Sequence, residues 1–278
     1  MPDGTIAMSN LTPEQQVLKN AYVKARGYWR PWTEGLLRLD PAFLDAYGKY
    51  AGYAVENGPL SPKMRELIYV ALDGSATHLF RSGLALHLRL ALQEGASARE
   101  IIDVFRLATV QGLDGCNLGI GILAEELASA GLQVDHPELT HEQTALRDAY
   151  VAQFGDWPDF CEQWLRSDPG YFAVLLDLLA GGQTGDGLDH CSQCLISLAL
   201  NACFTALNPH GLRVQIRRAL RLGIGQREIL QVLQMTAHLG VHACAIGVPV
   251  LMEALDERSS KAGAGEESKG PGEGGGRK

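Results

Sequence analysis

The sequence predicts an all-α protein built from two tandem helical modules. Three observations carry that expectation: a gap-free internal repeat, helix caps that recur at the same spacing, and the absence of alternating β-branched runs. Shifted by 128 positions, the 278-residue chain aligns with itself. Leu18-Lys-Asn-Ala-Tyr-Val23 falls on Leu146-Arg-Asp-Ala-Tyr-Val151, Trp29 on Trp157, and Arg38-Leu-Asp-Pro41 on Arg166-Ser-Asp-Pro169. Gly83-Leu84 falls on Gly211-Leu212, Arg99-Glu-Ile101 on Arg227-Glu-Ile229, and Gly112 and Cys116 on Gly240 and Cys244. About 38 of roughly 117 positions are identical between residues 11–127 and 139–255, a unit far longer than a solenoid repeat. The expected organisation is a first domain over 11–130, a second over 139–257 and a disordered tail over 258–278. Two such modules are expected to pack about a pseudo-twofold axis, as homodimers do.

Taken in order, the elements announce themselves by their caps. Thr12-Pro-Glu-Gln15 is a capping box with proline at the first helical position, and Thr140-His-Glu-Gln143 repeats the box. Asp40-Pro41 and Asp168-Pro169 are further N-caps, Ser61-Pro62 opens another helix, and Asp189 is its counterpart. Gly95 and Gly223 close helices. Ser97-Ala-Arg-Glu100 is a capping box for a helix that sets Ile101, Val104, Phe105 and Ala108 on one face. Leu233 to Met252 carries no formal charge, yet Gly240 and Pro249 interrupt it, so a buried pair of helix segments is expected rather than a membrane span. Past Glu257 the chain turns to Ser, Gly, Lys and Glu, a composition that buries no apolar area.

The composition is 46% hydrophobic and 20% charged, which excludes disorder of the whole chain. With 24 Lys+Arg against 32 Asp+Glu the net charge is -8, which argues against a nucleic-acid partner and an anionic membrane surface. Met1-Pro-Asp-Gly-Thr5 has neither a basic nor an apolar segment, so no signal peptide is read there. The six cysteines sit in apolar or helical contexts and are expected to be reduced, as in a cytoplasmic protein. Paired apolar helices in both halves make a homo-oligomer plausible.

The stretches Leu60-Ser-Pro-Lys-Met-Arg-Glu-Leu-Ile68, Leu86-His-Leu-Arg-Leu-Ala-Leu-Gln-Glu-Gly95 and Arg99-Glu-Ile-Ile102 resemble the carboxymuconolactone decarboxylase family, which includes the alkylhydroperoxidase D-like proteins. The second half, from Leu188 to Leu255, resembles the same module more weakly. The resemblance implies an all-α bundle that oligomerises, here as two tandem alkylhydroperoxidase D-like bundles. It also implies sites near helix–helix and subunit contacts. The family's peroxidase-like branch carries Glu, Cys-x-x-Cys and His. If its histidine matches His87, the two cysteine positions fall on Phe80 and Gly83, and on Asn208 and Gly211 in the second half, none of them a thiol. The decarboxylase branch keeps the histidine without the thiols. It implies cofactor-free removal of a carboxylate from an unsaturated lactone acid, in the catabolism of aromatic compounds.

Such chemistry needs an electron sink in the substrate, a protein acid or base, and a cation to orient the carboxylate. His87 has the right residue type for the proton, with Glu66 as its partner. Their counterparts are Gln215 and Cys194, so only the first half would carry the pair. His78 and Arg81, in the turn between the two helices, are candidates to bind the substrate, and Cys116 to line its cavity. Cys116 and Cys244 alternatively read as small buried packing residues. No cofactor is expected. His238 and His242 are spaced to share a metal with Cys191 or Cys194, but no further ligand follows at a diagnostic spacing, so no metal is expected. They fit better as lining of a second-half cavity or as groups that complete the first-half site. Cys191 and Cys194, a Cys-x-x-Cys at a helix start where the dipole would lower a thiol pKa, open an alternative as a thiol redox protein. A non-catalytic ligand-binding module is the other alternative.

Overall fold

A computed structural model of the protein describes residues 10–132, 138–181 and 185–267. The N-terminal segment read for a signal peptide, and the part of the tail beyond Glu267, lie outside the described residues. Among the described residues there is no strand, and the fold is all-α. The described helices form two compact units, one from residues 10–57 with 240–267 and one from the described residues of 58–239. This division by contact differs from the division into sequence halves.

The first unit holds α1 (Pro13–Arg26), α2 (Pro31–Leu39), α3 (Pro41–Asn57) and α14 (His242–Glu267). Thr12 makes the expected capping box with Gln15, and Gly27 ends α1 in the left-handed conformation at φ 73°. The core is Tyr22, Trp32, Leu36, Leu37, Leu44 and Val248. Tyr22 meets Tyr28, Trp29 and Trp32 edge-on, the arrangement that ring quadrupoles favour. Helix α14 packs on α2 so closely that a Cβ at Gly35 would collide with Val248.

The second unit holds α4 (Pro62–Gly74), α5 (Arg81–Gln93), α6 (Ala98–Val110), α7 (Leu113–Ser129), α8 (His141–Phe154), α9 (Asp159–Ser167), α10 (Pro169–Ala180), α11 (His190–Ala202), α12 (Pro209–Arg221) and α13 (Gln226–Thr236). Its centre is α4 against α11. These two helices are apolar nearly all round, as Leu67-Ile-Tyr-Val-Ala-Leu72 and Leu195-Ile-Ser-Leu-Ala-Leu200 require, and Ile68, Leu72, Ile196 and Leu198 are fully buried. Helix α5 lies on α4 and α12 on α11, while α6 and α13 each touch both central helices. Helix α7 packs on α9, beside a cluster of Tyr150, Cys161, Leu165, Phe172, Leu175 and Leu176.

Local structure recurs at the 128-residue spacing. Gln15 Nε2 donates to the Leu37 carbonyl at 3.1 Å and Gln143 Nε2 to that of Leu165 at 3.1 Å. Trp29 Nε1 donates to Glu34 and Trp157 Nε1 to Glu162, each at 2.9 Å. Leu79 and Leu207, neither a glycine, both take left-handed backbone, at φ 48° and 44°. Within the second unit, Leu60 N–H donates to Gln231 Oε1 at 2.7 Å and Leu188 N–H to Asp103 Oδ2 at 3.1 Å, the same contact made in both directions. Thr77 Oγ1 meets its own counterpart, Thr205 Oγ1, at 2.8 Å.

Three expectations are corrected. Pro249 lies inside α14 instead of breaking it, and only the 3-10 turn Ala237–Val241 interrupts the uncharged stretch. That stretch is not a buried pair of segments: Met235 and Leu239 are buried, but Ile246, Val250 and Leu251 are exposed. Helix α14 also runs to Glu267, past the Glu257 boundary expected for the start of a disordered tail. By length and composition, 98–129 and 226–261 are apolar enough to cross a membrane, although only 11% and 22% of their most apolar windows are buried.

Candidate active site

The site is built on the antiparallel pair α4 and α5, in the second unit. Ser61 caps α4 by accepting from Met64 N–H at 3.2 Å, which fixes where the helix starts and therefore which way Glu66 projects. Helix α5 begins at Arg81 after the left-handed Leu79, and Phe80 N–H donates to the Asp73 carbonyl at 2.8 Å. That turn folds α5 back on α4 and brings His87 to Glu66, with His87 Nδ1 2.7 Å from Glu66 Oε2. The side chains are 12% and 18% exposed, so the pair is shielded from bulk water without being sealed from a ligand.

The other ring nitrogen, His87 Nε2, lies 4.0 Å from Asp73 Oδ2. Asp73 is buried, and burial pushes its carboxyl up to about 7, with the His87 charge pulling the other way. Tyr69 stacks on the imidazole at 4.6 Å between ring centroids, and its hydroxyl is 2.7 Å from His238 Nδ1. The cluster is therefore an imidazole held by one carboxylate, faced by a second carboxyl that is half-protonated near neutral pH, and covered by a phenol. Imidazole and a carboxyl of raised pKa are the group types that move protons near pH 7.

Asp73 was missed in the sequence. Its signal is an acid at the end of the run Leu67-Ile-Tyr-Val-Ala-Leu72, facing a glycine, since a Cβ at Gly83 would collide with Asp73 Oδ2. The second half repeats the arrangement with Asn201 and Gly211.

The remaining candidates stand in different places. A His78 ring nitrogen lies within 4.8 Å of an Asp73 carboxylate oxygen, and burial lowers the His78 pKa. Arg81 is exposed at the first residue of α5; six residues at about 100° each place it roughly 120° around the helix from His87. Cys116 lies on α7 with Sγ 3.6 Å from the Tyr171 hydroxyl, away from the His87–Glu66 pair, and like Cys244 it is half-buried instead of buried. His238, considered as a metal ligand, engages Tyr69 through Nδ1.

The Cys191–Cys194 motif does not have the chemistry its helix-start position suggested. Cys194 is buried, its thiol is pushed up to about 11 by burial, and its Sγ is 3.4 Å from the Gln215 carbonyl oxygen. Desolvation outweighs the helix dipole there. Cys191 is the one exposed cysteine of the six. Ellman's reagent is expected to modify one thiol rapidly in the native protein, and peroxide to leave Cys194 reduced; a Cys191–Cys194 disulfide in the peptide map would contradict this.

The sequence model of the carboxymuconolactone decarboxylase family matches residues 41–115, which contain α4, α5 and the His87–Glu66 pair. A solved structure from Burkholderia xenovorans LB400, provisionally named a gamma-carboxymuconolactone decarboxylase subunit, is 32% identical. The match covers 89% of this chain and 99% of that one, with a TM-score of 0.83. No match was found among curated proteins. With an all-helical fold shared over nearly the whole length at 32% identity, and the family's sequence model lying over the imidazole–carboxylate pair, the chain belongs to the carboxymuconolactone decarboxylase family.

Proposed function

We propose that the protein is a cofactor-independent lyase that removes a carboxylate from a small unsaturated lactone or ring acid, in the catabolism of aromatic compounds. The family supports a decarboxylase-like activity, and the observation that carries the reading to residues is the 2.7 Å contact of His87 with Glu66 beside Asp73. In the acting imidazolium form, Glu66 accepts from Nδ1–H, which orients the ring and leaves Nε2–H to face the substrate. When the C–C bond to the carboxylate breaks, its electron pair moves into the conjugated lactone carbonyl and CO2 leaves. The resulting dienolate takes a proton at carbon from His87 Nε2–H, and a proton taken up from bulk solvent then restores the imidazolium, so that each turnover consumes one proton. Tyr69, stacked on the ring, keeps it in this orientation and excludes water from that face. His78 and Arg81 are proposed to bind the substrate carboxylate at the mouth; Cys116, against Tyr171 on α7, takes no part in this reading.

The test is CO2 release from carboxylated butenolides by the purified protein, alone and after dialysis against chelator. Release at the same rate in both supports the reading; no release from any carboxylated lactone or unsaturated ring acid overturns it.

We propose further that the chain arose by duplication, with domains over 11–130 and 139–257, that it works in the cytoplasm, and that it self-associates without nucleic-acid or membrane partners. The exposed apolar residues Leu118, Ile122 and Leu123 of α7 recur at Ile246, Val250 and Leu251 of α14, so both halves offer the same face to a second copy.

The raised pKa of Asp73 makes a separate prediction. Between about pH 4 and pH 7 the folded chain keeps a proton that the unfolded chain releases. Stability from this group is therefore full below about pH 4 and is lost as pH rises through about 7, by up to about 1.4 kcal/mol per pH unit. Asp73→Asn keeps the shape and removes the titration. Urea midpoints at pH 5 and pH 8 are expected to shift in favour of the variant at the higher pH; an unchanged difference would refute the assignment.

A further inference from the structure

The His87–Glu66 pair leaves a sizeable cavity in the second unit without a role. This cavity measures about 890 Å³, within the range of small-molecule sites. Helices α6 to α12 wall it, and apolar side chains such as Leu107, Phe160, Leu175 and Val214 make most of its surface. It includes the second-half positions that correspond to the candidate active site. Gln215 stands where His87 does, and Asn201 where Asp73 does, so the copy has been re-lined with uncharged amides.

Two polar groups in this lining lack partners. Gln215 Oε1 is buried and accepts no hydrogen bond among the described residues. Arg218, whose counterpart is Leu90, is half-buried, and its guanidinium makes no hydrogen bond or ion pair among the described residues. The other cation, Arg106, is held by Asp103 at 3.1 Å. The acids do not serve Arg218 either: Asp103 is bound by Arg99, Arg106 and Leu188 N–H, Asp114 interacts with Asn208, and Glu125 and Asp159 are exposed. A half-buried guanidinium without an ion-pair partner and a buried, unmet acceptor over an apolar floor suit a ligand that supplies an anion, a donor and a ring.

We propose that this cavity is a non-catalytic binding site for a hydroxylated aromatic carboxylate, with the carboxylate on Arg218 and the hydroxyl donating to Gln215 Oε1. With no imidazole and no carboxylate at the two re-lined positions, the site holds such a ligand without turning it over. The assignment rests on this cavity alone and stands whatever the substrate of His87.

The test is fluorescence titration of the full chain with 6-hydroxy-2-naphthoate, and with 2-naphthol as the analogue that lacks the carboxylate. Saturable binding of the acid is expected, and it is expected to persist in His87→Gln. Arg218→Met is expected to weaken the acid about tenfold to a hundredfold while leaving 2-naphthol unchanged. Arg218→Lys, which keeps the charge, is expected to retain part of the affinity, and circular dichroism checks that each variant is folded. Val214→Phe, which fills the floor, is expected to weaken both ligands. Absence of saturable binding, equal affinity of folded Arg218→Met and the parent for the acid, or loss of all binding in His87→Gln overturns the proposal.

Discussion

Replacing His87 with glutamine is expected to lower the turnover number for decarboxylation by about two to four orders of magnitude while the fold is kept. The fold is spared because the chain itself already places an amide at the equivalent point of the second half, Gln215 on α12. Glutamine can still donate toward Glu66 Oε2, so α5 stays docked on α4, but it cannot deliver a proton to a carbanion-like carbon. Glu66→Gln is expected to cost less, because it loosens the tautomer and orientation of the ring while leaving the imidazole in place. The measurement is steady-state kinetics from pH 5 to 9, with thermal melts alongside. A purely structural His87 would move the melting temperature and leave turnover alone, and that result would refute its assignment as the proton donor.

The largest stability effect is expected from Gly83→Ala. Gly83 lies where α5 crosses α4, and a Cβ there would collide with Asp73 Oδ2 and crowd the Phe80 ring. Both neighbours belong to the turn that folds α5 back, so they have little room to retreat. Overpacking of this kind costs about 1–3 kcal/mol. The matching change Gly211→Ala meets Asn201 and Asn208 and is expected to cost a similar amount. Gly83→Ala is expected also to impair catalysis, because the displaced carboxyl is the one beside His87 Nε2, whereas Gly211→Ala is expected to leave catalysis intact. Urea denaturation and turnover measured on both variants check this; equal activity losses would place the working site elsewhere.

The helix starts were legible because each is written in a few adjacent residues. Thr12, Asp40, Ser61, Ser97, Thr140, Asp168 and Asp189 all accept the hydrogen bonds their sequence positions promised. The repeat was legible for a related reason, since equal side chains at equal spacing build equal local contacts. The end of α14 was not, because Ser259 to Glu267 has no apolar face and its composition alone reads as disordered. Nor was Asp73, since a lone acid beside apolar residues acquires a raised pKa only when another helix removes its water. The Cys191–Cys194 motif misled for the same reason: a helix start lowers a thiol pKa only where the anion keeps its solvent, and burial of Cys194 outweighs even the Arg218 and Arg221 charges that pull its thiol down.

Sequence by itself determined the helical class, the helix starts that recur at 128 residues, and the presence of a candidate imidazole and carboxylate in one half only. Tertiary structure decided which groups titrate together. It set Asp73 within 4.0 Å of His87, laid Tyr69 over the ring, and left the corresponding amides of the second half, Gln215 and Asn201, on an open cavity. The physical reason is range. Caps and turns are settled by hydrogen bonds between residues a few positions apart, whereas desolvation and enclosure depend on which helices cover a side chain, and those helices come from distant parts of the chain.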